Sequence, residues 1–125
     1  FRPQRVVFVS SPTHVSRIPL MFAKAAGLPP AAMREFVRIL DRDAGRPSAE
    51  LDLVSIAPHA GIPGLVIHDR EDAVIPYSEG EALAAAWPGI RFLSTTGKGH
   101  RDILSASEVL RAIVDFVDPA ATPAL

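Results

Sequence analysis

Hydrophobic residues in this chain form short continuous runs, separated by longer stretches in which they recur every three or four positions. Three continuous runs predict β-strands: RVVFVS at residues 5–10, GLVIH at residues 64–68 and IRFLS at residues 90–94. The first two are apolar at successive positions, which is typical of strands buried on both faces of a sheet. Proline or glycine stands beside each run, as expected for turns at strand ends.

Five further segments have the spacing of amphipathic helices. The first, at residues 15–26, is expected to end at Gly27, and the second runs from the Pro29-Pro30 pair to Gly45. The other three are expected to have serine caps, namely Ser48 for residues 48–57, Ser78 for residues 78–86, and Ser105 or Ser107 for the helix ending at Asp118-Pro119. The expected buried faces carry Met33, Phe36, Val37 and Leu40 in the second helix, and Val109, Leu110, Ile113, Phe116 and Val117 in the last. The order of strands and helices predicts an α/β fold with about three parallel strands and right-handed crossovers.

The composition and net charge of the chain exclude several classes of function. Hydrophobic residues make up 48% of the 125 positions, enough for the core of one domain, and the formal net charge is only −1. A nearly neutral chain offers no strong field to nucleic acid or an anionic membrane, and no apolar run is long enough to span a bilayer. Cysteine is absent, which excludes disulfides, thiolate metal sites and cysteine nucleophiles. No signal peptide is visible in the first residues, so we expect a cytoplasmic location.

Chemistry-bearing side chains follow the second and third predicted strands. One loop, HDREDAVIP, carries Asp72, and the other, GKGHR, carries His100. The carboxyl ends of parallel strands meet at one edge of a sheet, so the two loops are expected to be neighbours. Histidine is the side chain best suited to general base catalysis near neutral pH, and a nearby carboxylate fixes its tautomer. We therefore expect one of the carboxylates in the first loop to accept a hydrogen bond from His100.

The stretch from about residue 62 to residue 117 resembles the last two strand-and-loop units of α/β-hydrolases. Its P-G-L-V-I-H-D-R-E-D-A-V-I-P and G-K-G-H segments are similar to the family patterns P-x-L-x-I-H-G-x-x-D-x-x-x-P and G-x-G-H. The resemblance implies that Asp72 and His100 are the acid and base of a Ser-Asp-His triad that needs no cofactor. It also implies a helical cap insertion at residues 13–60, a core at residues 61–119 and a tail at residues 120–125. Asp69 departs from the pattern, because it stands where the family commonly has glycine.

The other polar residues near these loops have plainer interpretations. Asp69 and Glu71 are expected to be solvated turn residues, with either one as the alternative to Asp72 for the acid, and His68 is expected to be a structural histidine at a strand end. His14 follows the first strand's turn and is a candidate substrate contact. The four histidines lack the spacing of a metal site, so we expect no metal.

The nucleophile that such a triad needs is not evident. The chain has no G-x-S-x-G motif, and neither Ser10 nor Ser11, which follow the first strand, has the pattern of a nucleophile elbow. There is no initiator methionine either, so we expect the C-terminal part of a serine hydrolase that acts on a small ester or acyl compound and is inert alone. The alternative is a hydrolase-like domain that binds a partner without catalysis. A third interpretation, a flavodoxin-like domain, is not supported, because the sequence has no phosphate-binding loop motif.

The first strand also bears on assembly. In the family that the chain resembles, the strand matching residues 5–10 has neighbours on both sides, so here one edge is expected to be uncovered. A separately encoded N-terminal half, or a second copy joined about a two-fold axis, would cover it, and exchange of cap helices is a further route to a dimer.

Overall fold

The computed structural model describes residues 3–118, so Pro119 and the expected tail at residues 120–125 lie outside the described part. Three parallel strands form its sheet in the order β1-β2-β3, where β1 is Val6–Val9, β2 is Gly64–Asp69 and β3 is Arg91–Thr95. The α/β class and the three parallel strands predicted from the sequence are confirmed.

Six α-helices accompany the sheet within residues 3–118. Between β1 and β2 lie α1 (Ile18–Ala25), α2 (Pro30–Ala44) and α3 (Leu53–Ile56); α4 (Tyr77–Ala86) joins β2 to β3; α5 (Gly99–Asp102) and α6 (Ser107–Val117) follow β3. Short 3₁₀ turns cover Val15–Arg17, Ser48–Leu51, Ala57–His59 and Ile103–Ser105.

Hydrophobic clusters cover both faces of the sheet. The cluster on one face consists of Leu65, Ile67, Ile103, Val109 and Phe116, and the cluster on the other consists of Ala57, Val66, Leu83 and Trp87. β2 contributes to both clusters and is buried along its whole length, because it has a strand on each side and helices above and below. The sheet is therefore the middle of three layers, and β2 is its centre.

β1 has a neighbouring strand on one side only. Its four residues are half-buried, so the expectation of a strand buried on both faces holds for β2 but not fully for β1. Val6 and Ser10 donate backbone N–H groups to the carbonyls of Pro63 and Ile67, at 3.1 and 2.9 Å. Since N–H groups alternate in direction along a strand, those of Val7 and Val9 point to the open edge.

None of the serines predicted as helix caps acts as one. Pro76 precedes α4 and Ala106 precedes α6, with no side-chain hydrogen bond at either helix start. Ser78 already lies inside the first turn, because α4 begins one residue earlier, at Tyr77. Ser48 begins a 3₁₀ turn, and extended backbone at Asp52 breaks the segment predicted at residues 48–57.

Two of the predicted buried faces are narrower than expected. Leu110 and Val117 of α6 are 48% and 55% exposed, because this helix meets the sheet mainly through Val109 and Phe116. Leu40 of α2 is also exposed. The predicted helix ends at glycine are present, with Gly27 and Gly45 both at positive φ, the left-handed conformation favoured just past a helix.

Candidate catalytic site

The loops after β2 and β3 bring Asp72 and His100 together. Nδ1 of His100 lies 2.9 Å from Oδ2 of Asp72, which is the hydrogen bond expected from the sequence. Oδ1 of the same carboxylate accepts the backbone N–H groups of Val74 and Ile75, both at 2.8 Å. The Asp72 side chain is completely buried, whereas that of His100 is 33% exposed. The carboxylate is thus held from both sides while the imidazole reaches solvent.

Hydrogen bonds keep the buried carboxyl group of Asp72 ionised. Burial alone would raise the pKa of this carboxyl, but the hydrogen bonds from His100, Ile75 and Val74 and a contribution from the Ser10 hydroxyl outweigh it and hold the pKa below its usual range. An ionised carboxylate can only accept hydrogen bonds, so the shared hydrogen belongs to Nδ1 of His100. In the neutral imidazole the lone pair is then on Nε2, which is the atom that a general base uses.

Ser10 has a strained backbone beside this pair. Its φ is 45°, in the left-handed region that non-glycine residues seldom adopt. The hydroxyl is buried and lies close enough to lower the pKa of Asp72, although it makes no hydrogen bond of ordinary geometry. No sequence pattern indicated this conformation. With only 6% of its surface exposed, the residue is closed to solvent.

His68 packs beneath the loop that carries Asp72. Its Nε2 lies 3.0 Å from the carbonyl oxygen of Ile75, which can only accept, so Nε2 carries the hydrogen. Oδ2 of Asp72 is 3.6 Å away, too far for a second hydrogen bond. The other ring nitrogen, Nδ1, is buried without a hydrogen-bond partner and faces Gly80 of α4. These contacts fit the structural role expected for His68.

Asp69 is fully buried, so its expected role as a solvated turn residue is wrong. Its Oδ2 accepts the Thr95 hydroxyl at 2.7 Å and the Lys98 N–H at 3.1 Å, and its Oδ1 accepts the Glu71 N–H at 2.9 Å. Burial would raise the pKa of Asp69, but hydrogen bonds from Thr95 and from the backbone of Glu71, Lys98 and Gly99 lower it. The reason for the burial is the strand register, which pairs Asp69 with Thr95. Glu71 is exposed, as expected.

A second histidine and carboxylate pair joins the segment after β1 to α4. Nδ1 of His14 lies 3.0 Å from Oε2 of Glu79, and the backbone N–H groups of Thr13 and His14 donate to the same oxygen at 2.9 Å. The Thr13 hydroxyl at 2.7 Å and the Arg17 guanidinium at 3.2 Å complete the set of donors. Burial would raise the pKa of Glu79, but the hydrogen bonds from Thr13 and His14 prevail and lower it to about 2. Sequence patterns did not single out Glu79, because its partners lie far away along the chain.

His14 faces a cavity beside the acid loop. This cavity has a volume of about 170 Å³, and its lining includes Pro12, His14, Ile18, Met21, Ile75 and Pro76. Because Ile75 and Pro76 belong to the loop of Asp72, His14 lies on the same side of the molecule as the Asp72–His100 pair. A more open depression of about 390 Å³ surrounds His100 itself.

Residues 3–118 contain neither a metal-binding cluster nor a membrane-spanning helix. No group of three or more histidine, aspartate or glutamate side chains there is arranged to hold a metal ion. In the same part of the chain, no helix combines the length and the apolar character that crossing a bilayer requires.

Solved structures with a similar fold include α/β-hydrolases. Rv0554 from Mycobacterium tuberculosis aligns with a TM-score of 0.60 and 21% identity, over 95% of this chain and 58% of that one. MGS-MChE2, an α/β-hydrolase enzyme from a sediment metagenome of the lagoon of Mar Chica in Morocco, aligns with a TM-score of 0.54 and 13% identity, over 92% and 51%. A hydrolase from Pseudomonas aeruginosa PA01 has a TM-score of 0.54 and 20% identity, over 92% and 56%. No protein-family model matches the sequence.

These similarities and the three-stranded parallel sheet define the fold of the chain. The chain has the fold of the C-terminal part of an α/β-hydrolase, as its motifs predicted. It spans 58%, 51% and 56% of the lengths of the three structures. At such low identity the likeness shows the fold alone, so any statement about catalysis depends on the geometry of the site.

Proposed function

We propose that this chain supplies Asp72 and His100 as the acid and base of a Ser-Asp-His triad that hydrolyses small esters or related acyl compounds. The observation that carries the proposal is the 2.9 Å contact between Nδ1 of His100 and a buried, ionised carboxylate. That contact leaves Nε2 free to take the proton of an attacking serine and to return it to the leaving group. Asp72 would stabilise the imidazolium between these two steps.

The serine would come from outside residues 1–125. The chain has no G-x-S-x-G motif, Ser10 is buried, and the Ser11 hydroxyl donates to the carbonyl of Val9 at 3.3 Å. In this fold the oxyanion hole uses the backbone N–H that follows the nucleophile, together with one from an earlier loop. We therefore expect the isolated chain to be inert.

His14 is proposed as a substrate contact of the same site. Glu79 holds its Nδ1, so Nε2 is the nitrogen left for a ligand in the adjoining cavity. In the complete enzyme, His14→Ala should raise KM and leave kcat close to that of the wild type. The matched control is His59→Ala, an exposed histidine away from this cavity. Equal KM values for the two variants would contradict the assignment.

The open edge of β1 is proposed as the surface that a partner covers. Either an N-terminal half or a second copy of the chain would pair with the outward N–H groups of Val7 and Val9. The half-burial of all four β1 residues supports this, since both faces of β1 contact the core while its edge has no strand beside it.

The function is tested by comparing the chain alone, its His100→Ala variant, and the chain joined to the segment encoded upstream of it. The substrates are an activated ester and a serine-directed phosphonate. We expect no hydrolysis by the chain alone above the His100→Ala control, and phosphonate labelling of an upstream serine only when His100 is present. Labelling of Ser10 or Ser11 would place the nucleophile in this chain. A joined protein that is neither active nor labelled would favour the non-catalytic binding domain instead.

A further inference from the structure

The backbone just before His100 has an alternating conformation. Lys98 is right-handed, with φ −96° and ψ −29°, whereas Gly97 and Gly99 have φ of +76° and +61°. A right-handed residue followed by a left-handed one directs successive N–H groups to one side and forms a concave anion-binding site. In this chain the anion is internal: the Asp69 carboxylate accepts the N–H of Lys98 at 3.1 Å, and the backbone of Gly99 also helps to lower the pKa of Asp69.

The charge of Asp69 is stabilised by hydrogen bonds alone. No basic side chain in the described residues forms an ion pair with it, and the Lys98 ammonium is 3.5 Å from Glu108 instead. A buried carboxylate without an opposite charge is costly unless all its oxygens are hydrogen-bonded. The Thr95 hydroxyl at 2.7 Å and the Glu71 N–H at 2.9 Å supply the remaining donors.

The positions of these donors connect Asp69 to both members of the catalytic pair. Glu71 directly precedes Asp72, and Lys98 stands two positions before His100. One carboxylate therefore holds the backbone immediately before the acid and two residues before the base. A glycine at position 69 would leave the N–H of Lys98 without this acceptor.

We propose that Asp69 is a positioning residue, which fills the concave backbone site at Lys98–Gly99 and thereby holds His100 at hydrogen-bonding distance from Asp72. It does not itself touch a substrate, because its side chain is fully buried. The inference rests on the proposed role of His100, but its test does not require hydrolysis.

The test measures how fast the Nδ1 hydrogen of His100 exchanges with water, by NMR on the 125-residue chain. In Asp69→Asn an amide NH₂ replaces one acceptor oxygen and faces N–H donors. We expect exchange to accelerate by about tenfold or more, the effect of losing a hydrogen bond to a charged group. Thr95→Val, which removes one donor, should give a smaller acceleration, and Thr95→Ser should restore the wild-type rate. Thr96→Val changes the exposed neighbouring threonine and serves as the control.

The outcomes separate positioning from general stabilisation. If Asp69→Asn lowers the melting temperature but leaves exchange at His100 unchanged in the folded chain, the proposal is overturned. If that variant does not fold, the comparison of Thr95→Val with Thr95→Ser tests the proposal. Equal exchange rates of the His100 Nδ1 hydrogen in these two variants would contradict it. A failure of the joined protein to hydrolyse esters would count against the proposed function while leaving this result as it stands.

Discussion

Nδ1 of His100 lies 2.9 Å from Oδ2 of Asp72, and the side chain of Asp72 has no exposed surface. Water therefore cannot compete for that oxygen. The hydrogen bond can thus fix the imidazole in the tautomer that carries its hydrogen on Nδ1. The other carboxylate oxygen is occupied by two backbone N–H groups, which prevents the side chain from turning away. The pair is preorganised by the loop after β2 before any substrate arrives.

Asp72→Asn should abolish most of the activity of the complete enzyme. The amide can donate a hydrogen bond to Nδ1 and so favour the wrong tautomer, which should lower kcat by about 10³-fold or more. The matched control is Glu71→Gln, since Glu71 precedes Asp72 in the same loop and is exposed. Steady-state kinetics on an activated ester measure both. Similar losses in the two variants would remove Asp72 from the triad.

Glu79 should make the stability of the chain depend on acid pH. Its pKa is about 2 in the folded protein and 4.5 for an unperturbed glutamate in the unfolded chain, so its contribution to stability is fully present above pH 4.5 and is lost as pH falls towards 2. The contribution is on the order of 2 kcal/mol after allowance for solvent screening. Glu79→Gln should flatten the free energy of unfolding across this window in denaturant titrations. Glu81→Gln, an exposed change on the same helix, should keep the wild-type slope.

Val7→Pro should weaken any association through the edge of β1. The N–H of Val7 points away from β2, so proline removes an edge donor without breaking a hydrogen bond between β1 and β2. Val7→Thr keeps the N–H and is the control. Sedimentation at micromolar concentration should show an oligomer for the wild type and Val7→Thr, and dissociation for Val7→Pro. A wild-type chain that sediments as a well-folded monomer would contradict the proposed pairing.

Gly80→Ala should destabilise the chain, although alanine usually favours a helix. A Cβ at this position would lie 2.7 Å from Nδ1 and 2.9 Å from Cβ of His68, distances at which one element must shift. We expect a loss of about 1–3 kcal/mol in the free energy of unfolding, as for overpacked cores. Ser78→Ala, on the exposed surface of the same helix, should have little effect. Stabilisation by Gly80→Ala, measured by chemical denaturation, would show that α4 can move away from β2.

The sequence by itself determined the strands and the fold class. Each predicted strand agrees with the structure to within one residue at either end, because an apolar run and its flanking turn residues are local signals. The position of Asp72 and His100 after consecutive parallel strands was likewise enough to place their loops side by side. Helix caps were not predictable from serine alone, since α4 and α6 begin after Pro76 and Ala106, whose side chains cannot donate or accept a capping hydrogen bond.

Only the tertiary structure decided how each polar side chain is satisfied. Asp69 and Asp72 have the same side chain in the same loop, yet Asp72 meets His100 while Asp69 meets Thr95 and the backbone before His100. Glu79 and His14 meet across 65 residues of chain. Hydrogen-bond partners of this kind depend on strand register and on how helices pack against the sheet. These relations join residues far apart in the chain, whereas periodicity and turn chemistry are encoded within a few neighbouring positions.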